Sequence, residues 1–160
     1  MIIRPVTDAD FDAIWEIFQQ VVAKGDTFAY GPATTRGEAY EAWMSPAHRT
    51  YVADIDGAIA GTYYIRANQP GLGDHVANAG YMVHAAHGGQ GIGKAMGKHS
   101  LDEARKLGYK AMQFNFVVST NENAVTLWKN LGFRTVGTLP GAFRHAMWGP
   151  VNVYVMFREL

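Results

Sequence analysis

The chain of 160 residues contains no cysteine. Disulfide bonds, thiolate metal sites and a cysteine nucleophile are therefore excluded, and the composition is compatible with a reducing compartment. The chain also has no excess of positive or negative charge, because 14 basic side chains balance 14 acidic ones, and it has no long basic run. This balance argues against binding to nucleic acids or to anionic membranes, and the expected partners are small molecules.

Long hydrophobic runs are absent as well. No segment approaches the ~20 apolar residues that a membrane-spanning helix needs, and Asp8, Asp10 and Asp12 follow too soon after Met1 for a signal peptide. We therefore expect a cytoplasmic protein. At 160 residues, 48% of them hydrophobic, the chain is long enough for one well-buried core and short for two, so residues 1–160 are predicted to form a single domain.

Glycine, in contrast, is concentrated in one place. Four glycines lie within residues 88–93, in a segment, 84–94, that directly follows the apolar run 79–83 and directly precedes a helical pattern. Glycine permits positive φ angles and lets a ligand approach the backbone, so successive N–H groups can point into one concavity at the positive end of the helix. The segment predicts a binding site for phosphate or pyrophosphate.

Two common phosphate motifs do not fit this segment. The P-loop pattern requires Ser or Thr after Lys94, where Ala95 stands, so the magnesium ligand is missing. The dinucleotide fingerprint requires a small residue at 94 or 96, and these positions hold Lys94 and Met96. Neither a P-loop NTPase nor a Rossmann dinucleotide site is predicted.

The x-x-x-Gly-x-Gly arrangement at 88–93 resembles the loop with which GNAT-type N-acetyltransferases bind the pyrophosphate of acetyl-coenzyme A. A second segment, 121–133, resembles the other signature of this family, with an Asn, a short helix and a closing Leu-Gly-Phe. The start at 2–10 and the end at 153–156 are also typical of the family, so the resemblance covers nearly the whole chain. The segment 115–121 with Trp128 is further similar to fungal proline-analogue acetyltransferases.

Hydrophobic periodicity and turn signals predict strands that alternate with helices in a mixed α/β sheet. The resemblance implies the GNAT fold, a mixed, mostly antiparallel seven-stranded sheet with about four helices, splayed between its central strands. An Asp56-Gly57 turn predicts a hairpin, and 140–150 is predicted to be a loop. Strands are predicted at 1–4, 51–55, 58–65, 76–83, 110–118, 133–139 and 151–157, and helices at 11–22, 36–44, 92–107 and 122–131.

The resemblance also implies which residues contact acetyl-CoA. The strand at 76–83 would pair its backbone with the pantetheine arm, and the glycine loop would bind the pyrophosphate. Gly80 fits either a bulge or close backbone approach, or simple tolerance of glycine. The predicted cofactor-binding residues are Tyr81, Met82, Val83, His87, Gly88, Gly89, Gln90, Gly91, Ile92, Gly93, Lys94, Asn121 and Trp128.

The sequence departs from the family at three positions. Gly88 stands where the family usually has Arg or Gln, and His87 or Lys94 could supply the missing contact. The strand at 76–83 carries no Glu or Asp to act as the amine-activating base. Trp128 replaces a Tyr that is thought to protonate the leaving thiolate, and an indole N–H donates a hydrogen bond but not a proton; a buried aromatic is the other interpretation.

Two amides are the predicted catalytic residues. Asn115 interrupts an apolar strand, and burying its amide is costly unless it is hydrogen-bonded; it would bind the acceptor or the oxyanion, or else satisfy a bulged backbone. Asn121 would contact the pantetheine arm and cap the helix that follows it. His84 and His87 lack an evident third ligand, so no metal site is predicted. His145 is a candidate for the acceptor pocket or for a contact in a homodimer.

The resemblance implies direct transfer of the acetyl group of acetyl-CoA to the amine of a small molecule, without an acyl-enzyme, and the similarity to the proline-analogue acetyltransferases favours an amino-acid-like acceptor. One alternative is a protein N-terminal or lysine acetyltransferase, and another is a CoA-binding sensor module without catalytic activity, which the missing Glu and Tyr favour.

Overall fold

A computed structural model describes residues 1–160 as one mixed sheet with helices on both faces. The seven strands lie in the order β1-β2-β3-β4-β5-β7-β6, and only the central pair β4–β5 is parallel. This confirms the predicted GNAT-type architecture. The elements are β1 (Ile2–Pro5), α1 (Phe11–Lys24), α2 (Arg36–Met44), β2 (Arg49–Ile55), β3 (Ala58–Ala67), β4 (Val76–Val83), α3 (Ile92–Lys106), β5 (Ala111–Val118), α4 (Glu122–Asn130), β6 (Arg134–His145) and β7 (Gly149–Glu159).

Two hydrophobic clusters cover the two faces of the sheet. The apolar stripe of α1 packs with α2 against one face, where Phe18 and Trp43 are fully buried. Helices α3 and α4 pack against the other face, around Met96, Met112 and Trp128. Each face of the sheet is therefore buried under helices, which accounts for the apolar character of the central strands. None of the helices combines the length and the apolarity that a helix needs to cross a membrane.

The sheet opens between its two central strands. Backbone pairing of β4 with β5 is limited to Val76 with Ala111 and Ala77 with Met112. Beyond this point the strands diverge, and β5 continues along β7 with a bulge between Phe114 and Val117. The predicted splay is thus present, and it leaves the edge of β4 from residue 78 onward without a neighbouring strand on that side.

The predicted hairpin at Asp56-Gly57 is confirmed. Both residues have positive φ angles, 51° and 89°, as a two-residue turn that matches the twist of a hairpin requires. The predicted end of α3 is also confirmed, since Gly108 follows the helix with φ of 89°.

The prediction of a loop at 140–150 is wrong. Most of this segment is strand, and β6 and β7 form one long hairpin that turns between His145 and Gly149. Pro140 and Gly141 are tolerated because β6 is an edge strand and its register breaks between Leu139 and Phe143. Composition rich in glycine and proline here marks a bulged edge strand and not a loop.

Candidate active site

The glycine loop forms a cradle of free backbone N–H groups. Gly89 and Gly91 adopt positive φ angles of 75° and 78°, and Gly91 is the N-cap of α3. None of the N–H groups of residues 89–94 donates a hydrogen bond to an acceptor within the protein. Six consecutive unpaired donors at the start of a 15-residue helix fit a bound anion of the size of a pyrophosphate.

A cavity extends along this loop and along the end of β4. Its wall includes Gly88, Gly89, Gly91, Ile92 and Gly93, together with Tyr81, Met82, Val83 and His87. The structure therefore brings most of the predicted cofactor-binding residues together. Gln90 and Lys94 are exposed and lie outside this wall. The Gln90 side chain contacts the ring of His87 at 3.2 Å between Oε1 and Nδ1, so His87 is better placed than Lys94 to replace the side chain that Gly88 lacks.

The side chains of β4 belong to the core. The Tyr81 hydroxyl is 2.6 Å from Ser100 Oγ on α3, and burial raises the pKa of Tyr81 above its usual value. Met82 is buried on the opposite face. The side chains of Tyr81 and Met82 are therefore engaged in the core, and the unpaired backbone edge of β4 is the part left for a ligand.

A second cavity of about 360 Å³ passes through the opening between β4 and β5. It shares Thr27, Phe28, Tyr81 and Asn121 with the glycine-loop cavity, so the two are contiguous. The segment between α1 and α2 closes it on one side with Phe28 and Tyr30. Its volume suits a ligand of small-molecule size.

Gly80 gives this cavity its shape. It pairs with Tyr64 on β3, and a Cβ at Gly80 would approach Tyr64 Cε1 to 2.8 Å. The glycine is thus needed for close approach, because the Tyr64 ring lies over it and forms part of the cavity wall. The interpretation that glycine is merely tolerated at this position is wrong.

Asn121 and Trp128 lie where the two cavities meet the helix α4. The Asn121 Oδ1 accepts a hydrogen bond from Ala124 N at 3.4 Å, as predicted for an N-cap, while its Nδ2 has no acceptor in the protein. Trp128 is buried, with its ring 4.8 Å from that of Tyr81. A Cβ at Gly97 on α3 would meet Trp128 at 3.1 Å, so Trp128 is a core residue that also lines the cavity.

Asn115 is held in a chain of side-chain hydrogen bonds. Its Oδ1 accepts from Gln113 Nε2 at 2.9 Å, and its Nδ2 donates to Asn68 Oδ1 at 2.7 Å. Asn78 Nδ2 similarly donates to the Gln113 carbonyl at 2.9 Å. These amides join β5 to β4 and to the end of β3 where backbone pairing has stopped. The partners of Asn115 are side chains, so the alternative role of bonding to the bulged backbone is not found, and Asn115 lines the cavity.

Arg66 is a functional candidate that the sequence analysis missed. Among the 17 residues that line the second cavity, it is the only one with a charged side chain. The alternation of β3 places it two residues after Tyr64 and on the same face, which is the signal that could have identified it. Thr50 and Thr62, in comparison, are buried polar groups with hydrogen-bond partners inside the core.

The tyrosines of the cavity cannot serve as bases near neutral pH. Burial raises the pKa of Tyr64 to about 12, although Arg66 opposes the shift. Burial also raises the pKa of Tyr30. Asp26 is a carboxylate in the wall of the adjoining glycine-loop cavity, and its buried Oδ1 has no hydrogen-bond partner.

The remaining histidines have structural contacts. His84 Nε2 lies 3.3 Å from Glu16 Oε1 and joins α1 to the segment that follows β4. His145 Nδ1 accepts hydrogen bonds from the backbone N–H groups of Met147 and Trp148. His145 thus stabilises the β6–β7 turn and is not part of the acceptor cavity, which corrects one of its two predicted roles.

Comparisons with known proteins agree with this geometry. A GCN5-related N-acetyltransferase from Kribbella flavida has a similar structure, with a TM-score of 0.95 and 44% identity over 99% of this chain and 97% of that chain. The acetyltransferase yncA from Salmonella typhimurium, solved with its cofactor acetyl-CoA, has a TM-score of 0.87 at 24% identity over 100% of this chain and 94% of that one, a likeness of fold alone.

Among curated proteins, the N-acetyltransferase aca1 of Schizosaccharomyces pombe is 35% identical over 65% of this chain. The match covers 51% of aca1, so the chain spans about half the length of that relative. The sequence profile described as the Acetyltransferase (GNAT) family matches residues 12–133. The chain therefore belongs to the GNAT family of acetyl-CoA-dependent acetyltransferases.

Proposed function

We propose that this chain transfers the acetyl group of acetyl-CoA directly to the amine of a small, amino-acid-like molecule. The observation that carries the proposal is the continuity of the two cavities. One is lined by the free N–H groups of the glycine loop and the other crosses the opening between β4 and β5, and they share Tyr81 and Asn121. An acceptor in the second cavity would meet a thioester that reaches it along β4.

The glycine loop would hold the pyrophosphate of acetyl-CoA, and the unpaired edge of β4 would hydrogen-bond to the pantetheine amides as an added strand does. Acetyl-CoA supplies an activated acetyl group, whose carbon bonds to the amine nitrogen as the C–S bond breaks, while the amine proton leaves through water and the sulfur departs as thiolate or thiol. The chain's own residues contribute binding, orientation and exclusion of water.

Asn115 and Asn121 are the proposed catalytic residues. Each amide lines the acceptor cavity, and each retains hydrogen-bonding capacity beyond the bonds described above. Asn121 Nδ2, without a protein acceptor, would donate to the cofactor arm near the reacting group. Asn115, held by Asn68 and Gln113, would orient the acceptor or stabilise the developing negative charge.

The acceptor would react as the neutral amine. The cavity contains no carboxylate that could bind an ammonium group, and the charge of Arg66 disfavours a second cation nearby. Deprotonation is then supplied by water and not by a side-chain base. This mechanism accounts for the absence of the usual carboxylate from β4.

A small acceptor is favoured over a protein substrate because Phe28 and Tyr30 close one side of a cavity of about 360 Å³. The test is a panel of single amino acids, amines and short peptides with free N-termini or lysines, incubated with acetyl-CoA. We expect acetylation of single amino acids at a rate well above that of the peptides. Faster acetylation of peptides would support the protein acetyltransferase instead.

A homodimer and a cytoplasmic location are also proposed. The β6–β7 hairpin exposes large apolar side chains that a second copy could cover, Val136 and Leu139 on the edge strand β6 and Met147 and Trp148 in the turn. Sedimentation velocity would test the dimer, and a monomer at all concentrations would contradict it.

A further inference from the structure

Arg66 has a guanidinium group that pairs with no carboxylate of the protein. Its Nε donates to Asn78 Oδ1 at 3.3 Å and the guanidinium also lies beside the Tyr64 hydroxyl, so both of these contacts are to uncharged groups. The salt bridges of the protein involve other basic residues, such as Arg4 and Arg36. Arg66 is half-buried, so its charge is partly desolvated without being paired, an arrangement that favours a ligand of opposite charge.

The register of the sheet fixes where this guanidinium lies. Arg66 pairs directly with Asn78, which in turn holds the Gln113 carbonyl across the opening between β4 and β5. The Nε bond to Asn78 restrains the plane of the guanidinium beside the acceptor cavity. A planar guanidinium without an anionic partner can bind a carboxylate through two of its N–H groups, in place of the weaker contact with a neutral hydroxyl.

We propose that Arg66 binds the carboxylate of the acceptor, so that the substrates are amino acids and not simple amines. The inference rests on the proposed function and adds to it the group by which the acceptor is recognised. The rest of the cavity wall supports this assignment, because the aromatic rings of Phe28, Tyr30 and Tyr64 would contact an apolar side chain. No acidic residue competes for Arg66 within the cavity.

A purely structural role for Arg66 would act through Asn78, and the variants are chosen to separate the two roles. Arg66→Gln retains an N–H donor for Asn78 and removes the charge. Arg66→Lys retains the charge and removes the planar fork. Arg49→Met is the matched control, because Arg49 is an exposed arginine on the neighbouring strand β2 and lies outside the acceptor cavity.

The experiment compares each of proline, leucine, methionine and phenylalanine with its carboxamide. Binding to the protein saturated with CoA is measured by calorimetry, which needs no acetyl transfer, and kcat/KM is measured separately with acetyl-CoA. The carboxamide is the less basic amine, so at one pH more of it is neutral, and a preference for the acid cannot arise from amine ionisation. Circular dichroism and acetyl-CoA affinity verify that each variant is folded.

We expect at least one acid to bind about 10- to 100-fold more tightly than its amide, as a charge-assisted pair provides. Arg66→Gln should abolish this ratio, Arg66→Lys should retain part of it, and Arg49→Met should leave it unchanged. Equal binding of acids and amides by the unmodified protein, or a ratio that survives Arg66→Gln, would overturn the proposal. A ratio that depends on Arg66 without any acetyl transfer would support the carboxylate site and refute the proposed function.

Discussion

The pyrophosphate cradle can be tested by a pair of glycine substitutions at the two ends of α3. Gly91 before the helix and Gly108 after it have similar φ angles, 78° and 89°, and a Cβ at either position would meet no other atom within 4 Å. Valine at either position should therefore cost about 1–3 kcal/mol of the free energy of unfolding, from backbone strain alone. Because a Cβ lies in open space at both positions, both variants should fold.

Only Gly91→Val should weaken acetyl-CoA binding. The isopropyl group would stand where the backbone N–H groups approach phosphate oxygens, and loss of one or two charge-assisted hydrogen bonds costs about 3 kcal/mol, or roughly 10²-fold in Kd. The assay is calorimetric titration of acetyl-CoA into the native protein, Gly91→Val and Gly108→Val. If the two folded variants bind acetyl-CoA as tightly as each other, the loop does not hold the pyrophosphate.

The other predictions concern the role of Asn115, the route by which the acceptor amine loses its proton, and the stabilising contact of Asp10 with Arg4. Asn115→Ala should lower kcat/KM by ~10²-fold with little change in acetyl-CoA affinity, whereas an equal loss in Asn68→Ala would mean that Asn115 only joins strands. The pH at which kcat/KM levels off should follow the basicity of the acceptor when two amines are compared, and one common inflection would reveal an enzymic base, with Asp26 the first suspect because of its buried carboxylate. Hydrogen bonding to Arg4 lowers the pKa of Asp10 to about 2, so its stabilisation of about 2 kcal/mol is present above pH ~4 and is lost as the pH falls towards ~2. Asp10→Asn should thus lower the free energy of unfolding at pH 7, and an effect no larger than that of exposed Asp12→Asn would contradict this.

Much of the fold could be predicted because local signals and the global topology agree. The Asp56-Gly57 turn, the glycine after α3 and the spacing of apolar residues in α1 each have a local physical cause that the sequence displays. The 140–150 segment could not be predicted, because Pro140 and Gly141 indicate a turn unless it is known that β6 lies at the edge of the sheet.

The residues of the candidate site also fall into two groups, those that a local sequence pattern predicts and those whose roles depend on how the strands pair. The glycine loop is contiguous in sequence, so its place at the start of α3 could be predicted from spacing. The face of β3 on which Arg66 lies could be predicted from strand alternation. The contact of Arg66 with Asn78 could not, because it depends on the register of β3 with β4 and on the opening that separates β4 from β5. The hydrogen bond between Asn115 and Asn68 could not be predicted either, since the two residues are 47 positions apart in the chain.

The central claim is that the contiguous cavities support catalysis and not merely CoA binding. The most direct measurement is the release of free thiol from acetyl-CoA, with and without an amino acid, with the product identified by mass spectrometry. We expect thiol release that depends on the amino acid and is matched, mole for mole, by the N-acetyl amino acid. Tight binding of acetyl-CoA with no amine-dependent release of thiol would contradict it and would identify the chain as a CoA-sensing module.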